Sequence, residues 1–121
     1  MTRGTRAGLL VAARAAGIQA IDGPYGRVGD DDGLRTRSRL ARALGLDGKW
    51  TIHPGQIAIV NEVFSPAREQ WERAESMLAA YDEAHRDGAG AAVFEGEMID
   101  EANRKMAARI ALAGRAAGYE R

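Results

Sequence analysis

The chain has 121 residues, enough for one ordinary domain, and its 17 basic side chains balance its 17 acidic ones. That balance removes the electrostatic case for nucleic acid, which needs a net or clustered positive field. The sequence has no cysteine, which excludes a disulfide framework, a thiolate metal site and a cysteine nucleophile.

Gly4 to Ala16 reads as a helix with Leu9, Leu10, Ala13 and Ala16 on its apolar side. Arg14 interrupts the run Leu9-Leu10-Val11-Ala12-Ala13, so this is neither a signal peptide nor a membrane span, and the expected location is the cytoplasm. Gly17 closes the helix, and Ile18 to Ile21 reads as a short strand ending at Asp22. Gly23-Pro24-Tyr25-Gly26 is a turn. Asp30-Asp31-Asp32-Gly33 precedes a second helix from about Leu34 to Leu44, where aspartates suit the positive end of the helix dipole. Leu34, Leu40, Ala41 and Leu44 form its apolar face, and Arg35, Arg37, Arg39 and Arg42 are spread around it as a solvated surface. Gly45 ends it, and Lys49 to Ile52 reads as a second strand ending at His53-Pro54.

Gln56 to Phe64 forms a further helix with Ile57, Val60 and Phe64 at helical spacing. Ser65-Pro66 reads as a helix start, Ser as N-cap and Pro at the first helical position. The helix that follows runs to about Arg86, with Trp71, Ala74, Leu78 and Tyr81 as its buried stripe. Arg68/Glu72 and Glu69/Arg73 supply pairs on its wet side. Asp87-Gly88-Ala89-Gly90 breaks it, and 91–99 is extended or irregular. Asp100 begins a last helix through about Ala117, with Met106, Ile110 and Ala113 facing inward.

Helix, strand, helix, strand is the pattern of a parallel α/β sheet. Two parallel strands do not make a stable sheet, because their edges leave backbone donors and acceptors unpaired. The pattern therefore demands strands that this sequence does not supply. In a (β/α)8 barrel, polar residues at C-terminal strand ends belong to the active-site face, and Asp22 and His53 hold such positions.

Several segments, in order, resemble one family. Ala12 through Tyr25, with its Gly17-Ile18-Gln19-Ala20-Ile21-Asp22-Gly23-Pro24 core, resembles the segment around the seventh barrel strand of citrate lyase β-subunit-like and malyl-CoA lyase-like CoA-ester lyases. Asp32-Gly33-Leu34, Ala43-Leu44-Gly45-Leu46-Asp47-Gly48-Lys49 and Ile52-His53-Pro54-Gly55-Gln56-Ile57 resemble the helix and strand that follow. Phe94-Glu95-Gly96-Glu97-Met98-Ile99-Asp100 resembles the family's C-terminal lid.

The resemblance implies the last two strands and helices of a TIM barrel over 1–87 and a lid segment with its helix over 88–121. It implies an enzyme that makes or breaks a carbon–carbon bond beside a CoA thioester, releasing acetyl-CoA and a 2-oxo acid. It also implies Mg²⁺ held by carboxylates on the preceding strands, which this sequence lacks, so the chain is expected to be inactive alone. The expected partners are an acyl-CoA and either a homo-oligomer or the missing barrel portion. A non-catalytic module that binds a full-length relative is the alternative, as is a remnant that does not fold.

Asp100 matches the lid aspartate that handles a proton in a neighbouring subunit's site; it also reads as the N-cap of the last helix. The candidate substrate-binding residues are Asp22 at the barrel mouth, Gly23, Pro24 and Tyr25 at the acyl-CoA entrance and His53 in the CoA cleft; Gly23 and Pro24 read also as residues that shape the backbone. Asp22 reads equally as a turn aspartate, and His53 as a structural hydrogen-bonder before proline. Glu95 and Glu97 read as an exposed lid strand rather than a metal pair.

Overall fold

Both helices that lead into parallel strands end in the same way. Gly17 and Gly45 take positive φ (72° and 100°), and the next residue donates back five positions, Ile18 N to Ala13 O (3.0 Å) and Leu46 N to Ala41 O (3.1 Å). Glycine tolerates this left-handed turn, which satisfies the last helical carbonyls and turns the chain into a strand. The computed structural model describes residues 3–88 and 91–121; Ala89 and Gly90, part of the expected break, lie outside the described residues. The chain divides into two compact units, Met1–Phe64 and Ser65–Arg121, and the segment expected as a lid lies within the second.

The first unit runs α1 (Arg3–Ala16), β1 (Ile21–Asp22), α2 (Asp31–Ala43), β2 (Gly48–Lys49), a 3₁₀ turn (Pro54–Gln56) and α3 (Ile57–Phe64). β1 and β2 pair in parallel, with Ile21 opposite Gly48 and Asp22 opposite Lys49. Asp47 N to Ala20 O (2.8 Å) and Trp50 N to Asp22 O (3.0 Å) lengthen this short ladder. Asp47 also ties the unit together through its side chain. Its carboxylate accepts Arg14 Nη1 and Nη2 (2.8 and 2.9 Å) and Ala20 N (2.8 Å), while Arg14 Nη2 also donates to Gly45 O (2.8 Å). Apolar packing comes from Ala13, Ala20, Ala41 and Leu46 with Leu10 and Phe64, and from Leu34, Ile59 and Val60 with Tyr25 and Phe64.

The sequence reading of this unit needs correction at four points. β1 begins at Ile21 rather than Ile18, which is exposed. β2 ends at Lys49 rather than Ile52, because the Ile52 N–H donates to the Gln56 side chain (3.0 Å) instead of to a neighbouring strand. Asp30 caps α2, accepting from Gly33 N (3.1 Å), so Asp31 and Asp32 lie in the first turn rather than ahead of the helix. Leu9, Ala16 and Ile57, expected to face inward, are exposed.

The second unit pairs α4 (Arg68–Arg86) with α5 (Glu101–Ala116) and adds a hairpin of β3 (Ala92–Phe94) and β4 (Glu97–Ile99). The helices are antiparallel: Glu75 accepts from Arg115 Nε and Nη2 (2.7 Å each), and Tyr81 OH reaches Glu101 (3.3 Å). Trp71 is the buried anchor, and Gly114 makes room for it; a Cβ at Gly114 would meet Trp71 Cδ1 at 2.1 Å. This is why the inner face of α5 is Ala107, Ala111 and Gly114, whereas Met106 and Ala113, expected there, are exposed. The helix that Ser65 was expected to cap starts at Arg68 with Ala67 in the cap position, and the Pro66 carbonyl instead accepts Tyr119 OH (2.9 Å). Arg73 pairs with Glu95 (2.9 Å) in place of the expected Glu69. Segment 91–99, expected to be extended or irregular, is an antiparallel hairpin closed by Glu95 and Gly96, both at positive φ (51° and 80°). Two consecutive positive φ values match the twist of a two-residue hairpin turn.

Candidate functional site

The ends of β1 and β2 put Asp22 and Lys49 side by side. Their register is enforced by the parallel ladder, and both side chains are almost wholly shielded from solvent. Lys49 Nζ donates to Asp22 Oδ2 (2.6 Å) and to Gly23 O (2.8 Å). Arg6 Nε, from α1, lies 3.5 Å from Asp22 Oδ1. A buried carboxylate is tolerable only when paired, and here it is paired twice. Asp22 therefore holds Lys49, and Lys49 holds the first carbonyl of the loop that follows.

That loop, Gly23-Pro24-Tyr25, is fixed at its other end as well. Tyr25 O accepts Gln56 Nε2 (3.0 Å), and Tyr25 OH donates to Asp30 Oδ2 (2.6 Å). This last bond shifts both groups: it raises the Tyr25 phenol above its ordinary value, and together with the Gly33 N–H it lowers the Asp30 carboxyl. A charged hydrogen bond of this length favours the neutral phenol and the ionised carboxylate together. A Cβ at Gly33 would crowd this bond, because it would meet both Tyr25 OH and the Asp30 carboxylate.

His53 is exposed and starts the 3₁₀ turn after β2, its Nδ1 accepting from Gly55 N (2.9 Å). An accepting Nδ1 leaves Nε2 as the protonated nitrogen of the neutral ring. Asp22 ends β1 and Gly23, Pro24 and Tyr25 follow it directly, whereas His53 follows β2; all five lie in the first unit. Asp100 belongs to the second unit, where it is exposed and caps α5, its Oδ1 accepting from Asn103 N (2.7 Å).

Lys49 and Gln56 were missed as functional candidates by sequence reasoning. Lys49 carried a signal: a lysine in a strand that would otherwise be buried needs a partner, and parallel register offers Asp22. Gln56 carried none, because its two bonds are to backbone groups.

Among the described residues no three His, Asp or Glu side chains converge on a point that suits a cation. Asp22, the carboxylate at the strand ends, is already neutralised by Lys49 and Arg6. The residues present therefore do not fit a Mg²⁺ site.

The chain is similar to known proteins over most of its length. It is 43% identical over 102 residues to an L-malyl-CoA/β-methylmalyl-CoA lyase of Cereibacter sphaeroides, a match that covers 84% of this chain and 32% of that enzyme. It belongs to the citrate lyase β-subunit-like CoA-ester lyase family. A (3S)-malyl-CoA thioesterase of the same organism is 46% identical over 91 residues, covering 75% of this chain and 32% of that protein. Among solved structures, protein CitE from Mycobacterium tuberculosis, in complex with magnesium, acetoacetate and coenzyme A, superposes with a TM-score of 0.68 at 34% identity. That match covers 93% of this chain and 41% of CitE. No family model matches the chain. The chain spans about a third of the length of the curated relatives it matches. No helix among the described residues is long and apolar enough to cross a membrane.

Proposed function

We propose that this chain supplies the last two βα units of a TIM barrel and the closing segment of a cytoplasmic CoA-ester lyase. The whole enzyme would cleave a hydroxyacyl-CoA of the malyl-CoA or citryl-CoA type, reversibly, to acetyl-CoA and a 2-oxo acid. The observation that carries this reading is the unfinished sheet: a two-stranded parallel ladder beside which Ile18, Trp50 and Ile52 are 62%, 67% and 55% exposed. Parallel strands are stable when buried on both faces, so such a ladder calls for further strands. Similarity to lyases about three times as long supports the same reading.

In this reading the loop Gly23-Pro24-Tyr25 and His53 border the acyl-CoA entrance, and Asp22 sets that border through Lys49. The Mg²⁺ carboxylates belong to strands outside these residues. Asp100 acts in trans on a neighbouring subunit, which makes the enzyme an oligomer. As carbon–carbon cleavage proceeds, the Asp100 carboxylate takes the hydroxyl proton, the hydroxyl becomes the 2-oxo group, and the bonding pair passes to the thioester enolate. The Asp100 carboxyl gives its proton to the enolate carbon, and in the reverse direction its carboxylate removes one from the acetyl methyl.

The test is reconstitution. The chain is co-expressed with the preceding barrel portion of a related lyase, and acetyl-CoA formation from malyl-CoA is measured. Asp100→Asn keeps a good helix cap, so its loss of activity reports chemistry; the expected fall is about 100-fold or more. An Asn variant as active as the parent overturns the role of Asp100. Free CoA with malate and no acetyl-CoA would mark thioester hydrolysis instead, the activity named for the thioesterase relative. Tight binding to a full-length relative without turnover would mark a non-catalytic docking module.

A further inference from the structure

We infer that Gln56 is a positioning residue that locks the loop after β1 to the loop after β2, so that the acyl-CoA meets one preformed border rather than two mobile segments. The inference rests on the reading above only for the identity of the ligand; the lock itself rests on geometry.

Gln56 is a buried amide, 3% exposed. Its Nε2 donates to Tyr25 O and its Oε1 accepts from Ile52 N, both at 3.0 Å. One bond reaches the loop after β1, the other the segment after β2. The orientation of the amide is fixed by chemistry: turned over, it would set a donor against the Ile52 N–H and an acceptor against the Tyr25 carbonyl. A buried amide with mismatched partners is costly, so the two loops hold one relative placement.

The backbone beneath Gln56 is held as well. Gln56 is the last residue of the 3₁₀ turn that His53 caps, and its N–H donates to His53 O (3.0 Å). His53, Gln56 and Tyr25 are thus linked in series. Lys49 fixes the same loop at Gly23 O, and Asp30 fixes the Tyr25 ring. Of these ties, the Gln56 amide is the one that bonds both loops. Loops held this way lose less conformational entropy when a ligand binds.

Gln56→Glu separates the two bonds. A carboxylate still accepts from Ile52 N but repels Tyr25 O, and protonation returns a donor. Gln56→Met keeps the volume and removes both bonds. Amide exchange and chemical shifts are measured on the isotopically labelled full chain from neutral to mildly acidic pH. In the parent the Ile52 amide is protected. In the Glu variant it stays protected, the 23–26 resonances move at neutral pH, and they return as the carboxyl protonates. In the Met variant Ile52 loses protection at every pH. In the reconstituted lyase, Gln56→Glu raises the KM for acyl-CoA about tenfold, the size of one lost hydrogen bond, with kcat little changed. Unmoved 23–26 resonances in both variants, or an unprotected Ile52 amide in the parent, overturn the lock. A released loop with an unchanged KM overturns its role in binding. A reconstituted parent without turnover overturns the lyase reading alone, and the exchange data then decide the lock.

Discussion

The two units are held together in different proportions of polar bonding and apolar packing. The first relies on polar side chains that reach across sequence: Arg14 to Asp47, Lys49 to Asp22, Gln56 to Tyr25. Its larger apolar side chains are divided between a small core and an exposed flank that includes Ile18, Trp50, Ile52 and Ile57. The second closes on itself around Trp71, with small residues of α5 admitting the ring and Ala92 and Ile99 of the hairpin buried. Both units leave some apolar side chains exposed and both use ion pairs, but in the second the ion pair of the buried Glu75 with Arg115 is added to a packed Trp71 anchor, whereas in the first the specific bonds fix the loops.

The comparison breaks most sharply at Lys49. Lys49→Met strips the buried Asp22 of its nearest counter-charge and should cost about 3–5 kcal/mol. Denaturant unfolding with amide exchange at residues 20–23 checks this, and loss of less than about 1 kcal/mol would mean that Arg6 suffices. Pairing it with Asp22→Leu should recover part of the loss, since the buried carboxylate goes too while Arg6 gives up its ion pair with it.

In the second unit the sensitive point is steric. Gly114→Ala puts a methyl into the Trp71 ring and should cost about 1–3 kcal/mol by overpacking, read from the thermal melt. Wild-type stability there would show that the helices can separate without penalty.

A smaller effect in the second unit depends on pH. The Arg115 guanidinium holds the Glu75 carboxyl below its ordinary value of 4.5, with its hydrogen bonds as the main cause. A depressed carboxyl contributes stability that is complete above the unfolded value and is lost as pH falls through the lower folded value. Acid should therefore weaken the α4–α5 pair in that window, and Glu75→Gln should flatten the dependence; an unchanged acid profile would remove Glu75 from the account. Smallest is the exposed Arg68–Glu72 pair at 3.8 Å, where Glu72→Gln should change stability by no more than about 0.5 kcal/mol.

Much of the fold was legible because helices announce themselves locally. Periodic apolar residues with glycine ends gave α1, α2 and α4 close to their observed spans, and the alternation with strands gave the parallel pair. What failed depended on partners distant in sequence. Trp50-Thr51-Ile52 has strand-like residues, yet a glutamine side chain takes the Ile52 amide. Met106 looked like core, yet Trp71 selects the small face of α5. The Glu95-Gly96 turn lacks the Asn or Asp that usually marks such a hairpin, and the ion pair from Glu95 to Arg73 is visible only once folded. At the site, Asp100 as a helix cap could be read from its neighbours alone. The linkage of Asp22 to Lys49 required the strand register.

The division of the two tryptophans has a practical consequence. Trp50 lies in the first unit and is 67% exposed; Trp71 lies in the second and is 2% exposed. Each unit therefore carries its own emitter, and their surroundings differ in polarity. Loosening of the second unit should shift the emission of Trp71 to longer wavelength, whereas covering the open flank of the first should shift Trp50 to shorter. The native chain can thus report, without any label, whether its second unit loosens or the apolar side chains of its first unit become covered.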